Sequence, residues 1–144
     1  MRNLCTSEEN NPLVKGKIQL TSEMRLLEEI TVTLESIELV SEIFSNKNSQ
    51  YTFRYQISIL NNSQEFITFL GRKWIFKGGS GKCYVVEGEG LAGRKPTLAP
   101  GKEFRYQSFH VVNEKTIVNG SYYGITHKGD WIFVRIPSFD LDAG

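Results

Sequence analysis

Apolar and polar residues alternate along several stretches of this chain, and a period of two predicts β-strands with one buried face. The alternation runs through two sets of positions: Tyr51, Phe53, Tyr55, Ile57 and Ile59, and then Phe104, Tyr106, Ser108, His110 and Val112. Near the start of the pattern, Ile30 and Leu34 have one parity and Ile37 has the other. A change of parity moves side chains to the opposite face, so we expect a bulge at residues 35–36.

Turn residues separate these stretches at short intervals. Turns are predicted at residues 45–50, 61–63, 78–81, 119–120 and 128–130, with a long Gly/Pro segment at residues 88–101. Residues 66–76 are apolar on both faces, so we expect either a strand buried on two sides or a pair of strands with a kink at Gly71, and we expect Trp74 in the core. Short strands with turn signals about every 8 to 12 residues, and no convincing long helix, predict an all-β sandwich or barrel.

The N-terminal part of the chain lacks this pattern. Residues 1–17 are polar and predict a flexible arm. Met24, Leu27 and Ile30 recur at threes, which suits one short helix, whereas an early strand or an extended tail is the alternative. We therefore divide the chain into a partly flexible N-terminal extension, residues 1–29, and a β-domain, residues 30–141.

Composition narrows the classes of partner. The net charge of +1 gives no basic excess to neutralise phosphates, so no nucleic-acid partner is expected. The chain has no apolar run long enough to cross a membrane and no apolar segment typical of a signal peptide, so no membrane partner and a cytoplasmic location are expected. Cys5 and Cys83 are too few and too far apart for a metal or redox motif, and both are expected to be free thiols.

A glycine-rich segment supplies the candidate ligand site. Its candidate residues are Gly88, Gly90, Gly93, Arg94 and Lys95. The three glycines match the G-x-G-x-x-G letters of dinucleotide-binding folds, but no helical pattern follows them, so that interpretation fails. Two hypotheses remain: a loop that needs glycine for its backbone geometry, or a nest of N–H groups that binds a weak anion or phosphate ligand with help from the two cations.

No arrangement of residues predicts catalysis, a metal site or a cofactor. Ser108 and His110 share a strand face and could form a nucleophile–base pair, but no nucleophile elbow or orienting Asp accompanies them. His127, the other histidine, falls in a predicted turn. With two histidines and scattered carboxylates, we predict no catalytic residues, no metal ligands and no cofactor.

The segment from about Ile30 to Leu141 resembles the ApaG family. The resemblance rests on the order and spacing of these fragments: Arg72-x-Trp74, Val86-x-Gly88-x-Gly90-x-x-Gly93 with Pro96, Leu98-x-Pro100-Gly101, Phe104-x-Tyr106-x-Ser108, Gly120-x-Tyr122 and Ile136-Pro137-x-Phe139-x-Leu141. It implies a fibronectin type III or immunoglobulin-like sandwich of two antiparallel sheets with about seven to eight strands.

The resemblance also implies a function. Members look like binding modules and not enzymes, so a protein partner of unidentified nature is expected, with a possible indirect link to cobalt and magnesium handling. A small-ligand binder for phosphate or nucleotide at residues 88–95 is the alternative. This chain departs from the family pattern in its N-terminal extension and at residues 113–118, where the family usually has a Pro/Gly turn and a Met.

Overall fold

A computed structural model describes residues 24–144, and in this range the chain folds into nine β-strands. The strands are β1 (Arg25–Leu26), β2 (Ile30–Phe44), β3 (Ser49–Asn61), β4 (Ile67–Gly78), β5 (Cys83–Glu89), β6 (Thr97–Leu98), β7 (Glu103–Val112), β8 (Thr116–Thr126) and β9 (Trp131–Leu141). Among these residues there is no helix that is long and apolar enough to cross a membrane.

The strands form two sheets of unequal width. The larger sheet has the order β1-β9-β8-β4-β5, with β6 paired to the start of β4, and the smaller sheet has the order β2-β3-β7. All pairs are antiparallel except β1 with β9. The prediction of an all-β sandwich of two antiparallel sheets is confirmed. The strand count exceeds the predicted seven to eight because β1 and β6 are only two residues long.

Several local predictions are also confirmed. The register of β2 against β3 shifts between Leu34 and Ser36, where the change of parity predicts a bulge, and again between Leu39 and Ser41. Of the two alternatives for residues 66–76, the structure has a single strand, β4, whose register against β8 shifts between Phe69 and Gly71. Residues 78–81 form the turn between β4 and β5, in which the Gly81 amide donates to the Gly78 carbonyl oxygen at 3.0 Å.

The tight turn predicted at residues 119–120 is wrong. Strand β8 continues through both residues, and Gly120 lies opposite Trp74 on β4. A Cβ atom at Gly120 would lie 2.7 Å from the Trp74 indole and 2.9 Å from the Lys73 carbonyl oxygen. The glycine is therefore needed for the close approach of a neighbouring strand and not for a turn.

An aromatic cluster fills the space between the sheets. Trp74 is 2% exposed, which confirms its expected place in the core. Its indole makes edge-to-face contacts with Tyr55 of the smaller sheet and with Tyr122 and Phe139 of its own sheet, at centroid distances of 5.6 to 6.5 Å. Such contacts add to the free energy gained by burying the ring area.

The first described residues belong to this core. Leu27 is 4% exposed and its amide donates to the Phe133 carbonyl oxygen at 3.0 Å, while residues 25–26 pair with β9. Of the alternatives for residues 21–30, the early strand is the one that the structure has at residues 25–26. The domain boundary at residues 29–30 stays a prediction, and the flexible arm of residues 1–17 lies outside the described residues.

One expectation about the cysteines is corrected. Cys83, the first residue of β5, is disulfide-bonded, so the expectation of a free thiol at this position is wrong. The corresponding expectation for Cys5 lies outside the described residues.

Removing the central indole should destabilise the whole sandwich. We expect Trp74→Ala to lower the free energy of unfolding by about 3–5 kcal/mol, because it leaves a cavity between the sheets. Denaturant titration followed by circular dichroism measures the loss. Trp131→Ala is the control, since Trp131 is only half-buried at the start of β9, and a Trp74 variant as stable as this control would contradict the core assignment.

Candidate functional site

The inner face of β5 is only partly covered by the smaller sheet. At one edge of the smaller sheet, β2 packs on β9. At its other edge, His110 of β7 contacts Trp74 and Phe76 of β4. The smaller sheet therefore ends above β4 and does not extend over β5. Tyr84 and Val86 of β5 have the same orientation as these core residues, because they pair with Phe76 and Trp74. They nevertheless stay 47% and 41% exposed.

A cavity opens between the two edge strands at this place. It has a volume of about 240 Å³. Its lining residues come from β3, β4, β5 and β7: Tyr55, Arg72, Trp74, Phe76, Tyr84, Val86, Ser108, Phe109, His110 and Val111. Phe109 and Val111 at its β7 rim are 51% and 50% exposed. We call the cavity together with the facing edges of β5 and β7 the groove.

Arg72 brings a positive charge into the groove. It occupies the space above Gly88, where a Cβ atom would lie 2.7 Å from Nη1 of Arg72. Nη1 donates to the carbonyl oxygens of Glu89 at 2.7 Å and Gly90 at 3.4 Å. Within residues 24–144, no carboxylate pairs with this guanidinium, which retains further N–H donors.

His110 forms an uncharged wall of the same cavity. Its ring lies against Tyr55 at 4.4 Å and Trp74 at 4.7 Å between centroids. Burial lowers the pKa of the imidazole to about 4, although a hydrogen bond to the Phe109 backbone acts in the opposite direction. The ring is therefore neutral at physiological pH. Its Nε2 atom is buried and has no hydrogen-bond partner in the described part of the chain.

Ser108 and His110 share the cavity, as their spacing predicts, but they do not form an activated pair. The Ser108 side chain hydrogen-bonds to Tyr55, and Nε2 of His110 has no hydrogen-bond partner within residues 24–144. An imidazole with a pKa near 4 is also a weak base at neutral pH. His127 lies in the turn after β8, away from both residues.

No group of three or more His, Cys, Asp or Glu residues that could hold a metal ion occurs in the described range, residues 24–144.

The glycine-rich candidate site is a short hairpin. The Leu91 amide donates to the Arg94 carbonyl oxygen at 2.7 Å, and the Arg94 amide donates back at 3.1 Å. The two residues between them, Ala92 and Gly93, have positive φ angles of 52° and 84°, as a type I′ turn requires. The fully buried Leu91 side chain fixes this hairpin to the core.

The backbone donors and cations of this loop are largely engaged within the protein. The amide of Gly90 donates to the Leu70 carbonyl oxygen at 2.7 Å, so this N–H group joins those of Leu91 and Arg94 in internal bonds. Lys95 pairs with Glu89 at 2.9 Å, and the Arg94 guanidinium lies 5.5 Å from the Phe104 ring centroid. Gly88 belongs to the groove, through Arg72, more than to the turn.

Sequence reasoning missed most of the groove. Arg72 and Val86 entered only as part of the family resemblance, and Tyr84, Phe109 and Val111 were not singled out. One local signal was present, since Phe109 and Val111 are apolar at positions whose parity points out of the sandwich. The neighbourhood of β5 and β7 depends on strand order, which no local pattern encodes.

The buried imidazole should make stability depend on pH. Unfolding exposes His110 and restores its pKa of 6.5, so the unfolded chain binds the proton first as the pH falls. The free energy of unfolding therefore has its full value above pH 6.5. It falls by about 3 kcal/mol as the pH is lowered from 6.5 toward 4. Denaturant titration at several pH values gives the free energies of unfolding of the wild type and of His110→Phe. On acidification from pH 6.5 toward 4, the wild type should lose stability relative to the variant. A difference between the two proteins that does not change with pH would contradict a depressed pKa.

The geometry of the glycine-rich loop also predicts the outcome of an anion titration. Because the amides of Gly90, Leu91 and Arg94 and the two cations already have partners, we expect ATP, pyrophosphate and diadenosine tetraphosphate to cause no saturable shift of the backbone amides of residues 88–95. Arg94→Gln with Lys95→Gln should leave the melting temperature nearly unchanged, since exposed ion pairs contribute little. Saturation at micromolar concentration that this double variant abolishes would instead assign a phosphate site to the loop.

Comparisons with known proteins agree on one family. The model of the ApaG domain matches residues 41–125. Protein ApaG of Methylobacterium radiotolerans is 36% identical over 115 residues, which cover 79% of this chain and 88% of the relative. Protein ApaG of Acidithiobacillus ferrooxidans is 33% identical over 116 residues, which cover 80% of this chain and 91% of the relative.

Solved structures with the same fold are also similar to this chain. An X-ray structure of a structural genomics target superposes with a TM-score of 0.75 at 28% identity, covering 80% of this chain and 87% of the other. The crystal structure of the putative ApaA protein from Bordetella pertussis gives a TM-score of 0.68 at 26% identity, covering 83% and 96%. Because the family model matches more than half of the chain and the curated relatives are aligned over most of it, the chain belongs to the ApaG family.

Proposed function

We propose that this protein is a non-catalytic interaction module that binds a partner protein through the groove between β5 and β7. The observation that carries the proposal is the pairing of exposed apolar side chains on both rims. Tyr84 and Val86 line the groove on the β5 side and Phe109 and Val111 line it on the β7 side, and all four are at least 41% exposed. A cluster of this kind at the rim of a cavity is typical of a protein-binding surface.

The position of the groove supports the same interpretation. It lies between the terminal strand of the larger sheet and the terminal strand of the smaller sheet. Terminal strands present backbone N–H and C=O groups to which a partner can hydrogen-bond, in addition to the apolar rims. The backbone hydrogen bonds and the apolar rims can then supply affinity and specificity for a partner without any catalytic group.

The chemistry of the cavity fits binding better than catalysis. A general base needs a pKa near the working pH and a proton within reach, whereas burial lowers the pKa of His110 to about 4. The Ser108 side chain is hydrogen-bonded to Tyr55 and lacks an adjacent base. What remains is an aromatic wall with one cation, Arg72, which is a recognition surface.

Three finer expectations remain predictions. The fibronectin type III likeness, the cytoplasmic location and the indirect link to cobalt and magnesium handling follow from the sequence and its resemblance. The proposal does not depend on any of them.

Affinity capture with matched variants tests the proposal. The intact chain serves as bait in an extract of the native cells, and captured proteins are identified by mass spectrometry. Val86→Lys with Val111→Lys places two charges on the rims of the groove. We expect a partner captured by the wild type to be lost with this variant, because burying unpaired charges opposes association.

The control is Ile43→Lys with Ile117→Lys, at positions that are 57% and 45% exposed and lie outside the groove lining. This variant should retain the partner. Melting temperatures of all three chains confirm that each is folded. A partner that binds the groove variant as well as the wild type, or that only the control variant loses, would contradict the proposal.

A further inference from the structure

The smaller sheet is one strand too narrow for the larger sheet. β7 packs above β4, and no strand within residues 24–144 pairs with the outer edge of β7 to cover β5. An additional strand hydrogen-bonded to that edge would lie directly over Tyr84 and Val86. Because this position is set by the two sheets, the edge that the strands of residues 24–144 leave unpaired has a defined width and direction.

The register of β3 and β7 shows which backbone groups of β7 point to the vacant side. The Asn61 amide donates to the Lys102 carbonyl oxygen at 2.9 Å, and the pairing continues without a shift to Tyr51 and Val112. Backbone groups alternate in direction along an antiparallel strand. The even-numbered residues of β7 therefore bond to β3, and the backbone groups of Phe109 and Val111 point outward along the edge.

We propose that the groove binds an extended segment of the partner as a fourth strand of the smaller sheet, with one apolar side chain in the cavity and, two residues away, an acidic side chain on Arg72. This inference rests on the proposed function and adds the chemistry of the partner. The outward backbone groups of Phe109 and Val111 hydrogen-bond to the segment. Side chains opposite His110 and Ser108 point inward, as those two residues do.

The two anchors follow from what lines each end of the cavity. Next to His110 the walls are the rings of Trp74, Phe76 and Tyr84, which suit an aliphatic or aromatic side chain. Arg72 lies two residues before Trp74 on β4, which matches the spacing of alternate residues on an added strand. Its guanidinium has no carboxylate among the described residues, so an acidic group of the partner supplies the missing charge.

The size of the cavity favours a side chain over a free small molecule. At about 240 Å³ it falls below the roughly 300–1,000 Å³ of sites that enclose drug-sized ligands. Most of the contact area therefore lies on the open rims and on the strand edge. An extended peptide uses both, because its alternate side chains enter the cavity while its backbone follows β7.

A peptide selection tests the proposal without knowledge of the natural partner. Random linear peptides of about ten residues, the length of a long strand, are displayed on phage and selected on the intact chain. In the enriched peptides, we expect every second residue, which points inward, to be apolar or acidic, while the residues between them vary. An acidic residue should lie two positions from a large apolar one. In the best peptide, replacing the acidic residue with Lys should weaken binding at least about tenfold.

A backbone scan of the same peptide separates strand addition from side-chain binding alone. N-methylation removes one amide donor at a time. Methylation of the residues on either side of the inward anchors should weaken binding about tenfold, because their amides bond to β7, whereas methylation of the anchors should change it by roughly twofold or less. Val86→Lys should abolish binding, and Ile117→Lys should not.

Several results would overturn the inference. They are the absence of any enriched peptide, enriched peptides without alternation, and methylation effects without a period of two. A dimer seen by sedimentation equilibrium that Val86→Lys dissociates would assign the groove to a second copy of this chain. If affinity capture still shows a partner that depends on the groove, the proposed function stands and only the added-strand mode fails.

Discussion

The unequal width of the two sheets is the constraint on which the rest of this structure depends. Within residues 24–144, a path of five strands, β1-β9-β8-β4-β5, faces three strands, β2-β3-β7, so these three strands do not fully cover the inner face of β5. The core is complete where both layers are present, around Trp74. The groove begins where the smaller sheet ends, and its β5 rim consists of inner-face positions that no strand within residues 24–144 covers.

The glycine-rich segment supports this groove from one side. Gly88 leaves space for the Arg72 side chain, and the carbonyl oxygens of Glu89 and Gly90 accept its hydrogen bonds. The hairpin at residues 91–94 then closes the segment onto the core through Leu91. The segment thus positions a cation beside the cavity through glycine geometry, and its own amides and cations are used in holding that geometry. Its glycines are explained without a bound phosphate.

Local sequence patterns predicted the features that depend on local geometry. The bulge at residues 35–36 follows from a change of parity within one strand. The turn at residues 78–81 follows from the glycines in that segment. Gly120 was misassigned because its cause lies on another strand, where the Trp74 indole needs its space. The groove was missed for the same physical reason. Val86 resembles any strand residue until the strand order shows that nothing of the smaller sheet lies above it.

The most direct test of the central claim is the hydrogen exchange of individual amides along β7 in the intact chain without a partner. If the outer edge of β7 is open, protection should alternate. The amides of Phe104, Tyr106, Ser108, His110 and Val112, which face β3, should exchange slowly, and those of Arg105, Gln107, Phe109 and Val111 should exchange orders of magnitude faster. Uniform protection along the strand would show that the edge is already paired, and would contradict an open place for an added strand.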